Sequence, residues 1–291
     1  MLLITGATGN VGGEVMRKLS AAGHESRVLV RNPRAAGLKL PHVTVMPGDY
    51  TDAASLVKAL DGVQAAFFAG PIDQDYPKWF TSFLAKAKKA GVRHLVKLSL
   101  LGAAADSPSE IIRQHAETDK QLKASGIEFT ILQPNSFYQN LIRQVRSIQT
   151  EGRFYIPAGE ARQSLVDVRD VAAVAVKALT EPGHAGRVYA LTGPQALAFD
   201  DVARQLSAAV GRPVEYVPVT LEAMRDTFLS AGAKPWTAQA LVDLIQVLTG
   251  GVYSLVTPDT GQVLRREPLS FAKFARDYAG TFSAGVQVAG R

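Results

Sequence analysis

The stretch Met1-Leu2-Leu3-Ile4-Thr5-Gly6-Ala7-Thr8-Gly9-Asn10-Val11-Gly12-Gly13-Glu14-Val15 decides the fold of this chain. Its apolar start reads as a strand, and three glycines at intervals of three residues follow. Val15 and Leu19 then fall four apart, as one face of a helix requires. Strand, glycine turn and helix in that order make a phosphate-binding unit. Gly6 permits the tight turn. Gly9 lets the backbone of Thr8, Asn10 and Val11 approach a pyrophosphate, and Gly12 lets the helix lie close to the strand. The unpaired N–H groups at the helix start and the positive end of its dipole favour the anion. The spacing is G-x-x-G-x-x-G, not the G-x-G-x-x-G of common dehydrogenases.

Arg31 ends the second apolar run, Ser26-Arg27-Val28-Leu29-Val30. A chain selecting NAD places Asp or Glu near this point, against the ribose hydroxyls, whereas an arginine suits the 2′-phosphate of NADP. The planar guanidinium grips phosphate oxygens in pairs, which lysine does not. Asn32 and Arg34 stand beside it and can share the contact. The expected cofactor is NADP(H), preferred over NAD(H).

Composition is consistent with such a site. The chain has 291 residues, with 32 Lys and Arg against 26 Asp and Glu, a net charge of +6. The excess falls within the first hundred residues, where an anionic dinucleotide is expected to bind. No basic stripe with a base-reading motif is present, so nucleic acid is not an expected partner. Zero cysteines exclude disulfides and thiolate chemistry, and the five histidines lack metal-ligand spacing. The apolar N-terminus is too short to span a membrane and runs into glycines, not a cleavage site. A cytoplasmic protein is expected, as a monomer or a homodimer.

Further along, apolar strands alternate with helices, the pattern of a doubly wound parallel α/β sheet. Residues 1–150 read as the nucleotide-binding domain and residues 151–291 as mainly a substrate lobe. Strands near 164–168 and 187–192 are expected to return to the sheet. Ligands of such sheets lie beyond the carboxyl ends of the strands. There the pattern gathers the glycine turn, Arg31, Ala69, Gly70, Pro71, Ser99, Pro134, Asn135 and Phe137. Asp49 and Tyr50 are placed to meet the edge and face of the adenine, while Asp52 reads as a helix cap. Trp79, Tyr138, Met224, Phe228 and Trp236 supply apolar walls for an acceptor, the last three from two helices within 221–250. The tail after Phe282 is small, polar and expected to lack fixed structure.

Several motifs together resemble the NmrA-like family, an atypical branch of the short-chain dehydrogenase/reductases. They are residues 6–12, Val30-Arg31-Asn32, Gly48-Asp49-Tyr50, Ile131-Leu132-Gln133-Pro134-Asn135-Ser136-Phe137, Val166-Asp167-Val168-Arg169-Asp170-Val171-Ala172 and Tyr189-Ala190-Leu191-Thr192-Gly193-Pro194. They run in order from residue 1 to about 280. The resemblance implies an extended Rossmann fold that prefers NADP. Members include bacterial quinone and triphenylmethane-dye reductases, and redox-sensing regulators without known catalysis.

One departure bears on mechanism. The usual enzymes of this class use Tyr-x-x-x-Lys as general acid, and no tyrosine here has lysine four residues on. In its place stands His115-Ala116-Glu117-Thr118-Asp119-Lys120. Ser99 remains from the usual triad. His115 can serve as proton donor or simply pair with Asp119 one turn on. Lys97, in an otherwise apolar strand, points into the cleft or snorkels from the strand end. The expected reaction is hydride transfer from NADP(H) to a small electron-poor acceptor: a quinone, an azo or triphenylmethane dye, or an imine or enone. Such a reaction depends chiefly on positioning. A non-catalytic NADP(H)-sensing regulator is the alternative.

Overall fold

The computed structural model describes residues 1–33 and 37–283. Arg34 and the tail from residue 284 lie outside the described residues. Short apolar strands form one seven-stranded parallel sheet: β1 (Leu2–Ile4), β2 (Ser26–Val30), β3 (Val43–Pro47), β4 (Ala65–Phe68), β5 (His94–Leu98), β6 (Glu128–Pro134) and, after β7 (Arg153–Ile156), β8 (Arg187–Leu191). The order is β3-β2-β1-β4-β5-β6-β8, so the winding reverses between β1 and β4. Ligands of open α/β sheets sit at such a reversal.

Both faces are covered. Leu3, Leu29, Phe68, Leu95 and Ile131 pack into one core with side chains of α2 (Ala53–Leu60), α3 (Tyr76–Lys89) and α4 (Glu110–Lys123). Alternate strand residues face the other way, where α1 (Asn10–Ala21) packs on α6 (Val168–Thr180), beyond the short α5 (Val145–Glu151). This double coverage explains why β4 reads Ala-Ala-Phe-Phe, buried at every position.

The chain divides into two compact units. The first comprises residues 1–134, 168–191 and 259–266, and it contains the whole seven-stranded sheet. The second comprises 135–167, 192–258 and the chain from 267 on. Its core gathers Tyr138, Phe154, Leu165, Phe199, Phe271 and Phe274 around a two-stranded parallel sheet of β7 and β9 (Glu215–Pro218). It also holds α7 (Phe199–Val210), α8 (Leu221–Ser230) and α9 (Pro235–Leu248). Residues 164–168, expected as a strand of the main sheet, instead make one parallel bridge, Val166 to Phe137, within the second unit. Ser164 turns its hydroxyl to the carbonyls of Tyr253 and Leu255, so this segment is held by loop contacts and not by a ladder. Among the described residues no single helix is long and apolar enough to cross a membrane.

Candidate active site

The glycine turn joins β1 to α1 with each glycine in a distinct role. Gly6 has φ +65°, and a Cβ there would lie 2.8 Å from the carbonyl oxygen of Ala69. A Cβ on Gly12 would fall 2.4 Å from the Gly6 carbonyl oxygen, so the helix and turn touch backbone to backbone. Gly9 differs, because its Cβ would meet only the Gly6 carbonyl, at 3.3 Å. Thr8, Gly9 and Asn10 are exposed. The Gly9 cap offers α1 no side-chain hydrogen bond, and no acidic residue occupies the first turn. An open glycine tip before uncapped N–H groups fits a pyrophosphate. The open, uncapped turn of Gly6, Gly9 and Gly12 therefore fits the phosphates of a dinucleotide.

At the far edge of the same ends, Arg31 is exposed beyond β2. Asp49 beyond β3 accepts from the N–H and the hydroxyl of Thr51, at 2.8 and 2.7 Å. Burial opposes ionisation of Asp49. The two Thr51 hydrogen bonds and the nearby Arg31 charge outweigh it, and the carboxyl is lowered from its ordinary value. Asp52 caps α2 by accepting from the N–H of Ala54 at 2.9 Å. Tyr50 donates to the Ala69 carbonyl at 2.8 Å, and its ring stacks on Trp79 with centroids 6.2 Å apart. Trp79, expected in an acceptor pocket, is thus tied to Tyr50 through α3. Gly70 has a second role, since a Cβ there would come within 2.6 Å of the Tyr76 ring. Pro71 beside it is exposed.

Beneath the ends of β4, β5 and β6 lies a polar cluster in an apolar setting. Lys97 is fully buried and donates from Nζ to Asp119 Oδ1 at 2.6 Å. Ser99 donates to Oδ2 of the same carboxylate at 2.8 Å, and Gln133 to the same oxygen at 3.2 Å. Burial pushes the Lys97 ammonium below its usual value, against the pull of Asp119. Lys97 therefore neither snorkels nor enters an open cleft. Asp119 serves Lys97 and Ser99, not His115. His115 keeps some surface, but its Nδ1 is buried without a partner, and its ring lies 5.0 Å from that of Tyr76. Burial, aided by the Lys97 charge, holds the imidazole well below its usual range, so it is neutral at pH 7. That state does not suit a donor acting as imidazolium. The Tyr76 hydroxyl is likewise buried, and burial pushes the phenol up against the opposing effect of Thr118.

The remaining expected residues belong to the end of β6 and to the second unit. Pro134 ends β6, and its carbonyl accepts from the N–H of Leu101 at 2.9 Å. Asn135 is committed internally, donating to Ser164 Oγ at 2.9 Å and to the Tyr253 carbonyl at 2.8 Å. Tyr138, expected as a pocket wall, is 1 % exposed and packs edge-on against Phe271 in the second unit's core. Phe137, Phe228 and Trp236 are half-buried, and Met224 is buried. Asp170 lies inside the first turn of α6 and pairs with Arg266 at 2.5 Å.

Sequence reasoning missed Asp119, Gln133 and Tyr76 as parts of one cluster. A signal for Asp119 was present. Ile112, His115, Asp119 and Leu122 share the inward face of α4 by spacing, and a lone lysine in a buried strand needs an acid opposite it.

The fold and glycine turn define a nucleotide-binding α/β protein, and comparison with known proteins is specific. A family profile described as NAD(P)H-binding matches residues 6–182. The NAD(P)H azoreductase of Xenophilus azovorans is 39% identical over 285 residues, spanning 98% of this chain and 100% of that one. A (4-alkanoyl-5-oxo-2,5-dihydrofuran-3-yl)methyl phosphate reductase of Streptomyces griseus is 36% identical over 97% of this chain and 99% of its own. The structure of an NADPH-dependent quinone oxidoreductase from Escherichia coli, complexed with NADPH, aligns with a TM-score of 0.83 at 27% identity. That alignment covers 95% of this chain and 99% of the other. The chain belongs to the NAD(P)H-binding family, the assignment that its NmrA-like motifs imply.

Proposed function

We propose that this chain transfers a hydride from NADPH to a small, planar, electron-poor acceptor such as an azo compound, a quinone or a conjugated enone. That it is an NAD(P)H-dependent reductase is carried by its whole-length similarity to the azoreductase. The acceptor class is supported by the helix where a Tyr-x-x-x-Lys acid is missing. There α4 presents His115, neutral at pH 7, and Asp119, occupied by Lys97 and Ser99. Without a strong acid, the acceptors served best are those whose electron deficiency lets hydride transfer proceed by positioning. When bound, NADPH supplies the hydride. The open Gly9 tip and the N-terminus of α1 hold its pyrophosphate. Arg31 grips the 2′-phosphate and sets the preference over NADH. Loss of NADPH absorbance with a panel of azo dyes, quinones and enones tests the reading. Tight NADPH binding without turnover of any acceptor would turn the assignment to a cofactor-sensing protein.

A further inference from the structure

The buried pair of Lys97 and Asp119 has no evident purpose in stability. Placing a lysine in the middle of an apolar sheet is costly, and well-packed apolar residues commonly replace such pairs without loss. The ammonium lies 5.5 Å from the ring centroid of Phe80 and 5.9 Å from that of Tyr76, in surroundings that an aliphatic side chain would fill. What the pair does accomplish is local. It pins one carboxylate of α4 against the ends of β5 and β6, where Ser99 and Gln133 also donate to it.

The consequence falls on Ser99, the first residue past β5. Its N–H is already bonded to the Leu132 carbonyl at 2.7 Å, and its hydroxyl hydrogen is given to Asp119. A carboxylate accepts only, so Asp119 cannot return a hydrogen to it. Ser99, 4% exposed, is left with lone pairs, so a ligand reaching its hydroxyl would find an acceptor there. The cluster adjoins Gly70 through Tyr76, so it underlies the β4 and β5 ends next to the sheet's reversal point. With a 2′-phosphate at Arg31, beyond β2, and a pyrophosphate at the β1 turn, the order β2-β1-β4-β5 would carry the dinucleotide's other end this way. At that end the amide N–H of the nicotinamide carboxamide is the donor a lone pair would take.

We propose that Ser99 accepts a hydrogen bond from the nicotinamide carboxamide, and that Asp119 and Lys97 are positioning residues that hold Ser99 in this role. The inference rests on the cofactor reading above and adds the group that orients the nicotinamide ring. It assigns the missing tyrosine–lysine pair no acid substitute.

The test compares three ligands by equilibrium titration of the full chain: NADP⁺, its 3-acetylpyridine analogue and adenosine 2′,5′-bisphosphate. The analogue keeps the carbonyl and lacks the N–H, and the bisphosphate lacks the whole nicotinamide end. The wild type is expected to prefer NADP⁺ over the analogue by about three- to tenfold, the size of one hydrogen bond. Ser99→Ala should abolish that preference and leave bisphosphate binding unchanged, while Ser99→Thr should retain the preference. The double change Lys97→Met with Asp119→Leu keeps the interior apolar and uncharged, and it too should abolish the preference. A preference that survives in Ser99→Ala, or equal weakening of all three ligands, overturns the assignment. If the wild type binds none of the three, the cofactor reading itself fails. A preference of the expected kind in a protein that reduces no acceptor supports the role of Ser99 while sinking the reductase reading.

Discussion

Lys97 on β5 and Asp119 on α4 meet at 2.6 Å, with their side chains 0% and 6% exposed. Lys97→Met alone would leave a buried carboxylate facing apolar rings. We expect a loss of about 3–5 kcal/mol in unfolding free energy, measured by urea titration. Adding Asp119→Leu should recover most of it. A double variant as unstable as the single one would show that the pair stabilises the fold directly.

The glycine turn separates fold from ligand. Gly12→Ala places a methyl 2.4 Å from a backbone oxygen, so the turn must move and the melting temperature should drop. Gly9→Val meets only one carbonyl, at 3.3 Å from its Cβ, and should fold normally while losing NADPH. Calorimetry on both proteins checks the contrast. Normal NADPH binding by Gly9→Val would place the pyrophosphate elsewhere.

Cofactor preference should reside in Arg31. Removing a charge-assisted contact to the 2′-phosphate costs about 1.5–3 kcal/mol. Arg31→Ala should therefore weaken NADPH by about ten- to hundredfold and leave NADH nearly unchanged. Equal affinity of the wild type for both cofactors would contradict this.

Acid sensitivity should come in part from His115. Its folded-state pKa lies well below the ordinary 6.5, so between the two values the unfolded chain binds the extra proton. The stabilisation is full above about pH 6.5 and declines as pH falls below it. Burial shifts His94 and His184 the same way, so His115→Gln should flatten the slope of stability between pH 6.5 and 5 without removing it. An unchanged slope in that variant would mean His115 is charged in the folded protein.

Turnover should depend on stacking more than on His115. Phe137, half-buried three residues past β6, is expected to lower kcat/KM more when cut to Ala than His115→Ala does. A general acid contributes about 10²–10⁴-fold. A loss of that size in His115→Ala alone would restore the histidine as proton donor.

What could be read directly from the chain was whatever depends on neighbours in sequence. The N-terminal strand, the glycine spacing, the helix cap at Asp52 and the arginine after β2 each depend on a few adjacent residues. Local backbone geometry and periodicity therefore expose them. Residues 164–168 misled because a short stretch with Leu165, Val166 and Val168 looks the same whether it joins a ladder or crosses a loop. Tyr138 and Asn135 misled because proximity to a strand end does not say which way a side chain turns.

The amino-acid order alone determined the parallel α/β class and the glycine turn between β1 and α1, since both follow from hydrophobic period and the conformational freedom of glycine. Only the tertiary structure decided the partner of Asp119. A carboxylate on α4 had a histidine one turn away and a lysine 22 residues back, and local spacing favoured the histidine. Packing α4 over the ends of β5 and β6 turned the carboxylate to the lysine instead. A buried ammonium without an acceptor costs far more than a neutral imidazole left alone.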